Sequence, residues 1–207
     1  MSAILAFPVS LAQPDLGVLR KAQRGDERAF SLILRAYETP VFNYVLRLVG
    51  GDRTLAEDLT QEVFLRVFQG LNSFSLRSKF TTWLFQVTKN RVLDELRASE
   101  RRPRAVCALE DIPPLEVVDQ PMERLEAIDA VWRAVENLNV DLKMALLLRD
   151  VVGLSYTEIA DSLEITLATV KWRIYKGREE VQLALAREGI TFGKAAETAD
   201  VARSPSS

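Results

Sequence analysis

Residues 153–178, GLSYTEIADSLEITLATVKWRIYKGR, constrain this chain more tightly than any other stretch. Their spacing predicts two short helices around a tight turn. Ser155 caps a first helix over Tyr156–Leu163, and Glu158, three residues on, completes a capping box. Ile159, Ala160 and Leu163 form its inner face, Ala160 being the small residue needed where two backbones cross closely. Thr166 caps a second helix from 167 to about 178, in which Val170 and Ile174 face inward one turn apart. This is a helix-turn-helix pattern, whose second helix enters the DNA major groove.

The outward face of that second helix points to the ligand. Lys171, Arg173, Lys176 and Arg178 place four positive charges and no negative one in eight residues, with Trp172 and Tyr175 interleaved. Long cationic side chains reach phosphates, and Lys or Arg also reads the guanine edge. A basic run alone is as consistent with a solvated structural helix, but the capped two-helix frame before it favours DNA contact. Two positions depart from the pattern. Glu164 occupies the turn, where glycine is preferred because a left-handed conformation costs a side chain about 1 kcal/mol or more. Trp172 is larger than the small polar residue expected to face a base.

A net charge of −2 over 207 residues excludes generic nucleic-acid binding, so any DNA contact must come from local patches. One cysteine, Cys107, and no histidine exclude a disulfide framework, the usual zinc sites and a histidine general base. No enzymatic activity, small-molecule substrate, cofactor or metal is expected. The apolar run at 4–11 contains Pro8, lacks a basic flank and is too short to span a membrane. Neither signal peptide nor membrane insertion is expected, and the chain is read as cytoplasmic.

Taken in order, residues 1–14 read as a flexible arm. A helical pattern starts near Asp15 or Leu16 and breaks at Gly25-Asp26. Ala29, Phe30, Ile33, Leu34 and Tyr37 repeat at helical spacing, and Thr39-Pro40 reads as a cap with proline opening a further helix. Val41, Tyr44, Val45 and Leu48 extend the apolar stripe to Gly50-Gly51. Thr54 and Glu57 read as a capping box on a helix that reaches about Leu71 and buries Leu59, Val63, Phe64, Val67, Phe68 and Leu71. Its outer face is acidic, with Asp58, Gln61 and Glu62, and the local account is a favourable macrodipole interaction of roughly 0.3–1 kcal/mol.

A polar loop over 72–78 follows, ending in a helix cap at Ser78, and then a helix over about 79–98. Phe80, Leu84 and Val87 share its inner face, so Trp83 and Phe85 cannot all turn inward with them. An exposed aromatic beside Lys79, Lys89, Asn90 and Arg91 suits single-stranded DNA, with rings to stack bases and cations to follow the backbone. Residues 77–104 carry eight basic and three acidic side chains, whereas 105–129 carry seven acidic and one basic, with Pro113, Pro114 and Pro121. The acidic stretch reads as a linker, either a solvated spacer or a nucleic-acid mimic for a cationic channel. From Met122 a second set of helices leads into the helix-turn-helix, and beyond Arg187 the composition is that of a disordered tail. No period-two alternation occurs, so the fold class is all-α.

Three stretches resemble one family: DLTQEVFLRVFQGLNSF at 58–74, KFTTWLFQVTKNRVLDELR at 79–97, and the helix-turn-helix at 153–178. Their order and spacing resemble the bacterial extracytoplasmic-function (group 4) sigma factors of the sigma-70 family. The resemblance implies two small helical domains joined by a flexible acidic linker: a region 2 bundle at 15–100, a linker at 101–121, a region 4 helix-turn-helix domain at 122–187 and a disordered tail at 188–207. It implies an alternative sigma factor that binds core RNA polymerase and directs promoter recognition and opening, in a stress or envelope response under anti-sigma control. Asp58, Gln61 and Glu62 would face the clamp of the largest catalytic polymerase subunit, with the flap of the second largest as a further contact. Ser75, Arg77, Lys79, Trp83, Asn90 and Arg91 would recognise and hold the melted −10 strand. Lys171, Trp172, Arg173, Tyr175, Lys176 and Arg178 would meet the −35 duplex. The family's usual turn Gly, Pro and following Gly are replaced by Glu164, Thr166 and Ala168, and Asn139 stands where a proline commonly precedes a helix. The alternative is a helix-turn-helix regulator that is not a polymerase subunit.

Overall fold

The computed structural model describes residues 11–100 and 122–190, and every regular element among them is helical. The linker at 101–121 with Cys107, residues 1–10 and the tail from 191 lie outside the described residues. The first half contains α1 (Leu16–Gln23), α2 (Glu27–Leu48), α3 (Arg53–Gly70), a 3-10 turn (Leu71–Ser73) and α4 (Phe80–Glu100). The second contains α5 (Met122–Glu136), α6 (Val140–Asp150), α7 (Tyr156–Leu163) and α8 (Leu167–Arg187).

Local chemistry sets most boundaries. Asp15, Asp26 and Asp52 cap α1, α2 and α3, each carboxylate accepting from backbone N–H groups of the first turn. The cap expected at Thr54 therefore falls two residues too late, since Asp52 already accepts from Leu55 N–H at 2.9 Å. Thr39-Pro40 does not start a helix either. Pro40 lies inside α2, because Ile33, Tyr37, Val41, Tyr44, Val45 and Leu48 form one unbroken buried stripe across it. Burying that stripe outweighs the roughly 3 kcal/mol penalty of an internal proline. Gly50 and Gly51 end the hairpin with φ of 70° and 85°, a conformation glycine adopts freely.

α4 is wrapped from several sides: α2 and α3 pack on it from the first half and α7 from the second. Phe85 is accordingly fully buried, its ring meeting Tyr44 edge-on at 5.5 Å. Trp83 is half-buried between Phe74 and Phe80, at centroid distances of 4.9 and 5.9 Å. Phe74, assigned to a polar loop, is likewise buried. Phe68, expected inside, is 43% exposed and rests edge-on against Phe30.

The chain beside each end is held. Of the arm expected over 1–14, residues 11–14 are anchored: Leu11 packs on the core, the Tyr37 hydroxyl donates to Ala12 C=O, and Gln13 bonds Thr81. At the other end Gly189, at φ 77°, reverses the chain so that Ile190 N–H reaches Leu185 C=O at 2.9 Å, and Ile190 covers the core. Glu188 pairs with Arg133 at 3.0 Å.

The two halves form one body with a continuous apolar core. Arg47 of α2 lies 3.7 Å above the Trp132 ring of α5 and pairs with Glu136 at 3.8 Å. Burial pushes the Arg47 guanidinium down to about 10 against the opposing pull of Glu136 and Asp129. On the other side Ser162 Oγ of α7 donates to Thr82 C=O of α4 at 3.1 Å.

Candidate nucleic-acid interface

The helix-turn-helix forms from its own local signals. Ser155 Oγ accepts from Glu158 N–H at 3.2 Å and the Glu158 carboxylate accepts from Ser155 N–H at 2.9 Å, closing the expected capping box. Burial pushes the Glu158 carboxyl up, but the Ser155 hydroxyl and N–H and the Lys79 ammonium bring it net below the usual range. Thr166 caps α8 through Thr169 N–H at 3.2 Å. Ile159, Leu163, Val170 and Ile174 are buried between the two helices. α8 continues well past the motif, to Arg187, because Val181 and Leu185 extend its buried stripe. Glu164 adopts the left-handed conformation, φ 59° and ψ 42°, and is the one non-glycine residue among the described ones with positive φ.

The basic face of α8 is not uniform. Trp172 and Tyr175 are 58% and 66% exposed, and Lys171 projects beside them into solvent. Three cations assigned to DNA contact are engaged by carboxylates in the chain. Arg173 pairs with Asp141 at 2.9 Å, Lys176 with Glu179 at 2.6 Å, and Arg178 grips both oxygens of Asp150 at 2.7 and 3.3 Å. The Asp150 side chain is 2% exposed, so Arg178 fastens α8 to α6. The hydrogen bond from Lys176 to Glu179 raises that ammonium's pKa, keeping it charged.

In the first half, Ser75 and Arg77 are exposed in the loop before α4. Lys79, Trp83 and Asn90 line one stripe of α4, with Asn90 open to solvent. The Trp83 ring crosses Gly70 so closely that a Cβ there would stand 3.3 Å from its Cζ2, which explains the glycine at the end of α3. Arg91 turns toward α3 and bonds Glu62 and, at 2.9 Å, Glu95. A residue assigned to the −10 strand and one assigned to the polymerase thus hold each other. The Arg91 hydrogen bond lowers the Glu62 carboxyl, and the same bond raises Arg91.

Asp58 and Gln61 are exposed on α3, and Gln61 lines an open groove with Glu38, Thr39, Phe42, Arg53 and Glu57. Leu65 and Phe68 continue the same face of α3 at 56% and 43% exposure. The sequence reading missed this apolar extension by following charge alone. Its signal was available, since residues 58, 61, 62, 65 and 68 share helical spacing.

Comparison with known proteins agrees with this geometry. The model described as "Sigma-70 region 2" matches residues 33–102, and that described as "Sigma-70, region 4" matches 128–181. The chain is similar to the RNA polymerase sigma-H factor of Pseudomonas aeruginosa, 33% identical over 186 residues, covering 84% of this chain and 94% of the relative. It is similar to the ECF RNA polymerase sigma-E factor of Escherichia coli, 34% identical over 178 residues, covering 81% and 92% respectively. Among solved structures, CnrH in complex with the cytosolic domain of CnrY aligns with a TM-score of 0.64 at 22% identity, over 84% of this chain and 99% of that one. The sigma factor RpoE in complex with the anti-sigma factor NepR from Bartonella quintana aligns with 0.64 at 22%, over 76% and 96%. At that identity the two structures speak for the fold.

Proposed function

This chain belongs to the sigma-70 family, in its extracytoplasmic-function branch, and from that premise we propose how its residues divide the work of an alternative sigma factor. The chain gives core RNA polymerase its choice of promoter, and the polymerase supplies the bond chemistry. The observation that carries this reading is the capped helix-turn-helix with Lys171, Trp172 and Tyr175 open to solvent, in one chain with the aromatic and basic end of α4.

Lys171, Arg173 and Lys176 meet phosphates and base edges of the −35 duplex, each good bidentate base contact discriminating by roughly 1–3 kcal/mol. Trp172 and Tyr175 add apolar contact beside them, while Arg178 holds the helix in place. Ser75, Arg77, Lys79, Trp83 and Asn90 receive the opened −10 strand, where each stacked base contributes roughly 1–3 kcal/mol. Opening is thus favoured by capture of its product. Asp58, Gln61 and Glu62, extended by Leu65 and Phe68, meet the polymerase clamp.

No helix of the described residues is long and apolar enough to cross a membrane, which suits a protein acting with polymerase in the cytoplasm. The solved complexes of similar fold hold an anti-sigma factor or a cytosolic partner domain, and a partner of that kind is expected here. Transcription by purified core polymerase tests the reading. With this chain, initiation on genomic fragments should become selective, and Trp83→Ala should bind promoters yet open them poorly, seen as weakened permanganate reactivity. Initiation equally unselective with and without the chain would refute it.

A further inference from the structure

The turn of the helix-turn-helix holds a residue that its backbone disfavours, and that residue has a partner in the other half of the chain. Left-handed Glu164 places its carboxylate 2.6 Å from Lys89 Nζ of α4, with Gln86 as a second donor. The Lys89 side chain is 8% exposed, enclosed where α7 lies on α4. Nearly three turns back, just before α4, Lys79 Nζ meets Glu158 at 3.1 Å, and Ser162 bonds the Thr82 carbonyl between these two pairs. The Lys89 hydrogen bond holds the Glu164 carboxyl below the usual carboxylate range, so that carboxylate is ionised at neutral pH.

The stripe of α4 under α7, residues 82, 86 and 89, adjoins the stripe 83, 90 assigned to the opened strand, and the exposed Lys79, just before the helix, stands at the head of both. The two acidic groups of the second half therefore occupy cations that backbone phosphates would otherwise neutralise. Size adds a second conflict. A compact body of this length has a radius of gyration near 17 Å and spans roughly 40 Å. About 25 base pairs at 3.4 Å per step put the centres of the −35 and −10 elements roughly 85 Å apart. The closed body cannot meet both. The 21 residues at 101–121 could reach about 70 Å when extended, which is enough to let the halves part.

We propose that the free chain is autoinhibited by an intramolecular latch, Glu164 of the helix-turn-helix turn on Lys89 of α4, which holds the second half over the strand-binding helix until it is released. A glycine in the turn would relax the backbone and forfeit the latch; glutamate at a strained position is the feature the latch accounts for. Release frees Lys79 and Lys89 for phosphates, so strand capture and opening of the chain reinforce each other.

The latch has its functional meaning only if these faces read promoter DNA as proposed above, but its test uses the free chain alone, so its failure would leave that reading standing. Dyes on cysteines at the exposed positions Gln69 and Leu183, in a Cys107→Ser background, report the separation of the halves by single-molecule energy transfer at low salt. The parent chain should give one high-transfer population. Glu164→Lys should lower the closed-to-open ratio at least tenfold and Glu164→Gly should lower it less, while Lys89→Glu with Glu164→Lys should restore closure. A broad distribution in the parent chain would overturn the proposal. So would a Glu164→Lys chain as closed as the parent, or an open form that the charge swap does not rescue, which also covers loss of closure through misfolding.

Discussion

Tyr44 is fully buried, and its hydroxyl has no hydrogen-bond partner among the described residues. Burial alone raises that phenol's pKa far above its ordinary value. An unsatisfied buried hydroxyl costs roughly 1–3 kcal/mol. Tyr44→Phe keeps the ring against Phe85 and should raise stability by about 1 kcal/mol, read as a higher urea midpoint with unchanged m. The basic residues of α8 separate in the same currency. Lys171→Ala should leave the urea midpoint unchanged and reduce the salt slope of duplex binding by about 1. Arg178→Ala strands the buried Asp150 carboxylate and should cost roughly 1–3 kcal/mol of stability. Sequence treated the α8 cations alike, because the partners of Arg173 and Arg178 lie 32 and 28 residues away in the chain. Lys171, Trp172 and Tyr175 were legible as an outward face because their direction follows from helical spacing alone.

At the scale of single helices, legibility depended on how local the deciding contact was. Both partners of the Ser155–Glu158 box lie within one turn, and the box formed as read. The rival box at Thr54–Glu57 had the right letters but lost to Asp52, two residues earlier. Inward and outward faces of α4 could not be assigned from periodicity, since a helix enclosed on several sides buries Phe85 and Leu84 together. Proline punctuation misled for a related reason, the stripe through Pro40 being worth more than the lost bond to Ala36 C=O. Pro40→Ala should restore that bond and raise stability by roughly 1–3 kcal/mol, part of the interior-proline penalty. Denaturant melts of the two chains would show the gain, and an unchanged or lower midpoint would mean that α2 has already relaxed around the ring.

For the molecule as a whole, the order of elements and the division into two helical sets were readable, but their mutual packing was not: Lys89 and Glu164 are 75 residues apart. That packing predicts cooperativity. A continuous core that includes α4 and α7 should make the chain unfold in one calorimetric transition at neutral pH and low salt. Glu158 and Glu164, both held net below the usual carboxylate range, contribute to the contact between the halves. A carboxylate with a depressed folded pKa stabilises above its unfolded pKa, about 4.3, and loses that contribution as pH falls through the folded value. Acidification through that window should loosen the halves from each other before either melts, splitting the single transition in two. The double variant Glu158→Gln, Glu164→Gln should split it already at neutral pH, since it removes both charges while keeping the side-chain volumes. Scanning calorimetry of the parent and the variant decides the matter, and a single transition in the variant at neutral pH would assign the cohesion of the halves to Arg47, Trp132 and the apolar core instead.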